Sequence, residues 1–184
     1  MNNNHQSPSA FFMTDSARGT TPAHVATLPD NTGVIFRDYD HKNRTELGRA
    51  YKQACQDRGL VFLVAGDAKL AETLAADGLH MPEHMFIQFP PARHEHWMIS
   101  AACHSKETVL KAAQYGADLA ILSPIFPTLS HPDAHPLGLK GLTHTLDASP
   151  IPIYALGGID QNTMAQLPDH PRLAGVAAIG MFLR

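Results

Sequence analysis

The fold of this 184-residue chain is constrained most by a regular alternation of short apolar segments with amphipathic ones. Each apolar segment is four to six residues long, which is typical of a buried strand and too short for a helix. Between them, apolar residues recur on one helical face, most clearly at Leu47, Tyr51 and Cys55. The pattern predicts eight strands, over residues 11–14, 33–36, 60–64, 78–81, 98–103, 118–122, 151–155 and 175–179.

Strands that alternate with helices pair in parallel, and the helices cover the sheet. Eight such units that close on themselves form an α/β fold, the (β/α)8 or TIM barrel, which we predict for residues 10–184. The chain is short for this fold, so we expect the helix after the eighth strand to be missing or to be supplied by a partner. A homodimer is one expectation. The polar residues 1–9 are expected to be a disordered N-terminal lead.

A doubly wound open sheet is the alternative fold. It is disfavoured because no G-x-G-x-x-G follows the first strand. The glycines suited to phosphate binding come late instead, with Gly157 and Gly158 after the seventh strand and Gly180 after the eighth. Barrels frequently bind phosphate with these two loops, and Asp160 is placed to cap a following helix. The sequence therefore predicts a phosphate site here, with a tight turn that binds no ligand as the alternative.

Composition excludes several classes of function. The formal net charge is −3 and there is no run of Lys and Arg, so we expect no nucleic-acid partner. No apolar stretch reaches the roughly 18 residues needed to cross a bilayer, and no secretory signal opens the chain. Cys55 and Cys103 are too few for a disulfide framework and are expected to be small, reduced core residues. These features together favour a cytoplasmic protein.

Five motifs, in order, resemble those of thiamine phosphate synthases and the TenI-like thiazole tautomerases. Arg37-Asp38 is similar to the end of Q-L-R-[DE]-K, and residues 76–80 are similar to G-A-D-G-V-H. His104-Ser105 with Glu107 resembles S-x-H-S-x-E. Residues 117–128 resemble G-A-D-Y-[IV]-x-x-G-P-[IV]-F-P-T, and residues 151–159 resemble I-P-V-x-A-I-G-G-I. The chain is identified as a divergent member of this family.

The resemblance implies an activity and a set of site residues. Family enzymes join hydroxymethylpyrimidine pyrophosphate to thiazole phosphate with Mg²⁺ and release pyrophosphate, so a small phosphorylated heterocycle is the expected partner. Arg37 and His104 are the predicted catalytic residues; a salt bridge for Arg37 and a loop role beside Ser105 for His104 are the alternatives. The predicted residues of the substrate and phosphate site are Thr128, Ser130, His131, Gly157, Gly158 and Gly180.

The family's metal and pyrophosphate ligands are largely replaced. Ala65-Gly66 stand where the family has Asn-Asp, and Met85 stands near its second Asp. Asp67 and Glu83 are the nearest carboxylates and therefore the predicted Mg²⁺ ligands. Other departures from the family pattern are Ile35, Tyr39, Ala102 and His131, the last in place of a lysine. Pro124 stands where the tautomerases have a catalytic histidine, and in this respect the chain resembles the synthases.

Three functions follow as alternatives. The first is a thiamine phosphate synthase-like transferase with a degenerate metal and pyrophosphate site. The second is a non-catalytic protein that keeps the phosphate seat and senses or carries a thiamine-related phosphate. The third, a sugar-phosphate isomerase on the same barrel, is disfavoured by the Phe126-Pro127-Thr128 loop.

Overall fold

The protein is a closed barrel of eight parallel strands in a computed structural model that describes residues 7–88, 96–128 and 134–183. Neighbouring strands pair in chain order, and the last strand pairs with the first, with Ala10 opposite Val176 and Phe12 opposite Ala178. This closure confirms the predicted (β/α)8 barrel and excludes the open sheet. The strands are β1 Ala10–Met13, β2 Thr32–Phe36, β3 Phe62–Ala65, β4 Gly78–Met81, β5 Met98–Cys103, β6 Leu119–Leu122, β7 Ile153–Leu156 and β8 Leu173–Ala178.

Helices connect the strands, but several connections are only 3-10 turns. The α-helices are α1 Arg44–Arg58, α2 Ala68–Thr73, α3 Lys106–Gln114, α4 Gly138–Ala148 and α5 Gln161–Met164. Turns of 3-10 helix lie at Ser16–Arg18 and Pro22–Thr27 after β1, at Glu83–Gln88 after β4 and at Gly180–Phe182 after β8. Within the described residues, this last turn is the only helical structure after β8. No described helix is long and apolar enough to cross a membrane.

The helix boundaries follow from local chemistry. Asp67 accepts a hydrogen bond from Leu70 N, and Ser105 accepts one from Thr108 N, so each side chain satisfies an amide that has no partner inside its helix. Gly59 ends α1 in the left-handed conformation, with φ of 63°. Asp67 and Ser105 therefore fix the starts of α2 and α3, and Gly59 fixes the end of α1.

Two aspartates bind neighbouring strands together at the amino-terminal side of the barrel. Asp77 precedes β4 and accepts from Phe62 N at 2.8 Å, while Asp118 precedes β6 and accepts from Ile99 N at 2.7 Å. Asp77 also pairs with the buried Lys52 at 3.0 Å. The two Ala-Asp motifs that carry part of the family resemblance therefore have a structural role.

The barrel interior is filled at its amino-terminal end and open at the other. Phe11 and Tyr154 meet edge to face, with ring centroids 4.9 Å apart, and Tyr154 Oη donates to the carbonyl of Pro8 at 2.5 Å. Ser9 N donates to Asn31 O at 2.8 Å. Pro8 and Ser9, which the sequence assigned to a disordered lead, are thus bonded to the barrel, and residues 1–6 lie outside the described part. Cys55 and Cys103 are free and buried, as predicted.

Candidate functional site

A cavity of about 1240 Å³ opens at the carboxyl ends of the strands. Its floor is formed by inward-facing residues of the strands, including Met13, His80, Ile121 and Ala177. Its rim is formed by the loops that follow β2, β4, β5, β6, β7 and β8. This is the end of a barrel where active sites are built, because side chains from many strand ends converge there.

Arg37 lies at the cavity rim, directly after β2. Its Nη2 pairs with the Asp15 carboxylate at 3.0 Å, and its Nε donates to the carbonyl of Thr14 at 3.1 Å. The side chain is still 25% exposed, and its Nη1 has no partner among the described residues. The salt bridge expected as the alternative is therefore present, and it leaves one edge of the guanidinium available to a ligand.

Asp38 holds the backbone around Arg37, a role that the sequence did not reveal. The hydroxyl of Thr14 and the N–H of Ser16 both donate to its carboxylate, each at 2.5 Å. The N–H of Arg37 in turn donates to the Thr14 hydroxyl at 3.1 Å. The ends of β1 and β2 are thereby joined, which fixes the direction in which Arg37 leaves the barrel.

The predicted phosphate glycines all line the cavity. Among the described residues, nothing accepts the N–H of Gly157, Gly158 or Gly180. At the start of α5, however, the Asp160 carboxylate accepts from Asn162 N and Thr163 N at 2.8 and 2.9 Å. The Asp160 carboxylate therefore occupies the N–H groups of α5 that were expected to bind an anion. The donors that remain open are the amides of the three glycines.

Gly158 is also required by the fold. Its φ is +66°, and a Cβ there would lie 2.5 Å from the carbonyl oxygen of Pro127 and 2.7 Å from Cβ of Phe126. Gly157 similarly faces Pro124, and its carbonyl accepts from Phe126 N at 3.0 Å. The sequence interpretation was that these glycines make room for a ligand. The structure adds that they make room for the loop after β6.

The loop after β6 carries the remaining predicted ligand contacts. Thr128 lines the cavity. Ser130 and His131 lie outside the described residues, and their predicted roles stay predictions.

His104 and Glu83 form a pair on the cavity rim. Glu83 Oε2 accepts from Nδ1 of His104 at 2.8 Å and from its backbone N–H at 3.0 Å. The His104 N–H also donates to Thr108, whose hydroxyl takes part in the cap of α3. His104 is therefore held in one orientation at the cavity, and Glu83, expected to bind metal, is its partner.

The two predicted metal ligands do not fit a shared Mg²⁺ site. Asp67 does not line the cavity; one oxygen caps α2 and the other lies 3.5 Å from Arg44 Nη1. Glu83 lines the cavity but is engaged by His104. In the described parts of the chain, no three His, Cys, Asp or Glu side chains are grouped closely enough to hold a metal ion. The described residues therefore do not fit a Mg²⁺ ion.

His80 and Ser100 form a buried polar pair in the barrel floor. They are paired residues of β4 and β5, and His80 Nδ1 lies 2.8 Å from Ser100 Oγ. Burial, with a smaller effect of the Arg37 charge, lowers the pKa of His80 to about 3, so its imidazole is neutral at physiological pH. Ser100 is not among the residues predicted from the sequence, although the alternation of inward and outward residues along a barrel strand marks it as inward-facing.

Comparisons with known proteins agree with this architecture. Residues 15–182 match the model of the thiamine monophosphate synthase (TMP-TENI) family. A protein of Aquifex aeolicus with the provisional name thiamine-phosphate synthase 2 is 37% identical over 160 residues, which are 82% of this chain and 82% of that protein. The thiamine-phosphate synthase of Lactococcus lactis subsp. cremoris (strain MG1363) is 32% identical over 140 residues, 73% of this chain and 62% of that protein.

A solved structure gives the same fold. The thiamine phosphate pyrophosphorylase of Pyrococcus furiosus superimposes with a TM-score of 0.79 at 22% identity, covering 97% of this chain and 88% of that one. The match to the family model spans nearly the whole barrel, from just after β1 to the turn after β8. The chain therefore belongs to the thiamine monophosphate synthase family.

Proposed function

We propose that the protein binds a thiazole phosphate and a pyrimidine pyrophosphate in this cavity and joins them to thiamine phosphate. The observation that carries the proposal is the arrangement of the rim. Free glycine amides after β7 and β8 lie on one side, and the available edge of Arg37 lies on another. Two anionic groups can therefore be held at separate places above one apolar floor.

The loops after β7 and β8, which carry the three glycines, suit the binding of a monophosphate. Backbone N–H groups without acceptors bind phosphate oxygens by charge-assisted hydrogen bonds, which are shorter and stronger than neutral ones. Gly180 opens a 3-10 turn, and the first N–H groups of such a turn have no partner inside it. Thr128 lines the same cavity from the loop after β6 and adds a hydroxyl.

Arg37 suits the leaving pyrophosphate. In the reaction a C–N bond forms between the pyrimidine methylene carbon and the thiazole nitrogen. The C–O bond to pyrophosphate breaks, and pyrophosphate leaves with the electron pair. A fixed guanidinium at the rim stabilises that growing negative charge, and it needs no reorganisation because Asp15 and Thr14 already hold it.

A non-catalytic binding protein is the second candidate, favoured by one observation. Both carboxylates nearest to the family's metal positions are engaged: Asp67 by the Leu70 amide and Arg44, and Glu83 by His104. Family members use Mg²⁺, so a protein whose carboxylates are occupied would keep the phosphate seat and lose the transfer step.

One experiment separates the two candidates. The full chain is incubated with both precursors and Mg²⁺, and thiamine phosphate is measured by its fluorescent oxidation product. Formation of product supports the transferase. No product, together with binding of thiazole phosphate in calorimetry, supports the binding protein.

A variant tests the phosphate seat itself. Gly180→Val adds a side chain where no protein atom lies within 4 Å, so the fold is expected to survive while the seat is obstructed. Thiazole phosphate binding is expected to weaken at least about tenfold, the equivalent of one strong hydrogen bond. Unchanged affinity in a folded variant would refute the seat. Gly59→Ala, at the end of α1 and outside the cavity lining, is the control for binding and is expected to leave the affinity for thiazole phosphate unchanged.

A further inference from the structure

The floor of the cavity holds a polar atom that the proposed reaction has not used. Seven buried residues in the described chain line the cavity, and His80 is the only one of them with a polar side chain. The others are Met13, Ile121, Ile159, Ala177, Ala178 and Ile179. A hydrogen-bonding atom in an otherwise apolar pocket fixes the orientation of a ligand, because a hydrogen bond is directional and the apolar contacts of the other walls are not.

One nitrogen of the His80 ring is open to the cavity. Its Nδ1 is bonded to Ser100, and its Nε2 has no partner in the described chain. Among the described residues, Arg44 Nε is the only side-chain polar atom that is both buried from solvent and without a hydrogen-bond partner. Nε2 of His80 also has no partner, so it must be accessible to solvent. The space to which it is open is the cavity, because His80 lines it.

Ser100 prepares the ring for either kind of hydrogen bond. A hydroxyl both donates and accepts, so the bond to Nδ1 permits Nε2 to act as donor or acceptor. Ser100 is fully buried and lies directly opposite His80 in the β4–β5 pairing, which keeps the ring from turning away. The His80 ring is therefore fixed in position, while its Nε2 can either donate or accept a hydrogen bond.

The charge of the subsite restricts what it binds. Burial lowers the pKa of His80, and Arg37 nearby further disfavours its protonation. A neutral imidazole gives no advantage to a phosphate, which is better placed at Arg37 or the glycine amides. A neutral heteroaromatic ring fits the floor, because it offers a flat apolar surface and a nitrogen in its plane.

We propose that His80, positioned by Ser100, hydrogen-bonds a ring nitrogen of the pyrimidine, so that the ring lies on the barrel floor and its pyrophosphate lies toward Arg37. This inference rests on the proposed function and names the subsite for one of its two substrates. The thiazole nitrogen is excluded from this place, because it must remain free to attack the pyrimidine methylene carbon.

Two probes that differ in one ring atom test the proposal. Pyridin-3-ylmethyl phosphate carries a ring nitrogen in the same relation to its phosphate-bearing carbon as the pyrimidine does, and benzyl phosphate has none. Calorimetry on the full chain is expected to give about five- to tenfold tighter binding of the pyridine probe, the value of one neutral hydrogen bond. His80→Leu is expected to remove this preference while leaving benzyl phosphate binding within about twofold.

Control variants identify the cause of any change. Arg37→Met is expected to weaken both probes equally, because it acts on the phosphate. His80→Gln keeps a neutral polar group and is expected to retain part of the preference for the pyridine probe. Ser100→Ala is expected to reduce that preference. These two variants replace His80→Leu in the test if the His80→Leu protein does not fold. In the unmodified protein, the ¹⁵N resonance of His80 Nε2 is expected to shift with the pyridine probe and not with inorganic phosphate.

Each outcome has a definite meaning. If neither probe binds, the proposed function and this subsite are both wrong. If both bind equally to the unmodified protein, or if His80→Leu keeps the preference, the subsite alone is wrong and the phosphate sites stand.

Discussion

Replacement of Gly158 by alanine should destabilise the barrel far more than the same change at another left-handed glycine. Gly59 is the matched control, since its φ of +63° is close to the +66° of Gly158 and nothing lies within 4 Å of an added Cβ. A residue with a Cβ pays about 1 to 2 kcal/mol to adopt this conformation. We therefore expect Gly59→Ala to lower the free energy of unfolding by that amount only.

At Gly158 a steric cost is added to the conformational one. The new Cβ would lie 2.5 Å from the backbone oxygen of Pro127, and a backbone atom cannot move aside as the end of a flexible side chain can. Overpacking of this kind costs about 1 to 3 kcal/mol, so the total for Gly158→Ala is about 2 to 5 kcal/mol. The difference between the two variants, about 1 to 3 kcal/mol, isolates the contact between the loops after β6 and β7.

Urea unfolding followed by circular dichroism measures both values, with equal m-values required for the comparison. If Gly158→Ala and Gly59→Ala lose the same stability, the loop contact does not constrain residue 158 and the reasoning fails. A thiazole phosphate titration of folded Gly158→Ala is expected to show weakened binding as well, because a displaced loop after β6 carries Thr128 with it.

Two further predictions concern buried charge. Since the pKa of His80 is lowered to about 3, the folded protein binds fewer protons than the unfolded chain between pH 3 and the ordinary histidine range. The free energy of unfolding should therefore fall as pH decreases from about 6, by up to about 1.4 kcal/mol per pH unit. In urea titrations at several pH values, His80→Gln should lack this contribution to the pH dependence of stability. An identical pH dependence in the two proteins would contradict a buried neutral ring at residue 80. Asp77→Ala should cost about 2 to 4 kcal/mol because it leaves Lys52 nearly buried without a partner. Asp30→Ala, which removes a 98% exposed carboxylate from a surface ion pair, should change the unfolding midpoint little, and comparable losses from both would refute the argument.

Some site residues could be found from the sequence because their local context is sufficient. Gly157, Gly158 and Gly180 were identified from their place after strands seven and eight, and all three line the cavity. Arg37 was identified from the family motif that it carries, and that motif stands at a strand end. The inference from the glycines depends only on chain order, since in a barrel every strand places its carboxyl end at the same rim.

Other partners could not be found because they are far apart in the chain. Glu83 meets His104 across 21 residues and His80 meets Ser100 across 20. Asp67 illustrates the reverse: its position in the sequence suggested a metal ligand, while the fold uses it to cap α2 and pair with Arg44. A carboxylate in a loop has several partners within reach, and only the packing decides among them.

The sequence by itself determined the barrel, because the alternation of strand and helix periods and the late glycines admit few other folds. It also determined the family, through five short motifs along the chain. Only the tertiary structure decided which polar groups are free. Hydrogen bonds between the ends of β1 and β2 engage Asp38 and most of Arg37, and the cap of α5 engages Asp160. The glycine amides and one nitrogen of His80 are left facing the cavity. Availability of a polar atom depends on all its neighbours at once, and that information is not local to any segment of the chain.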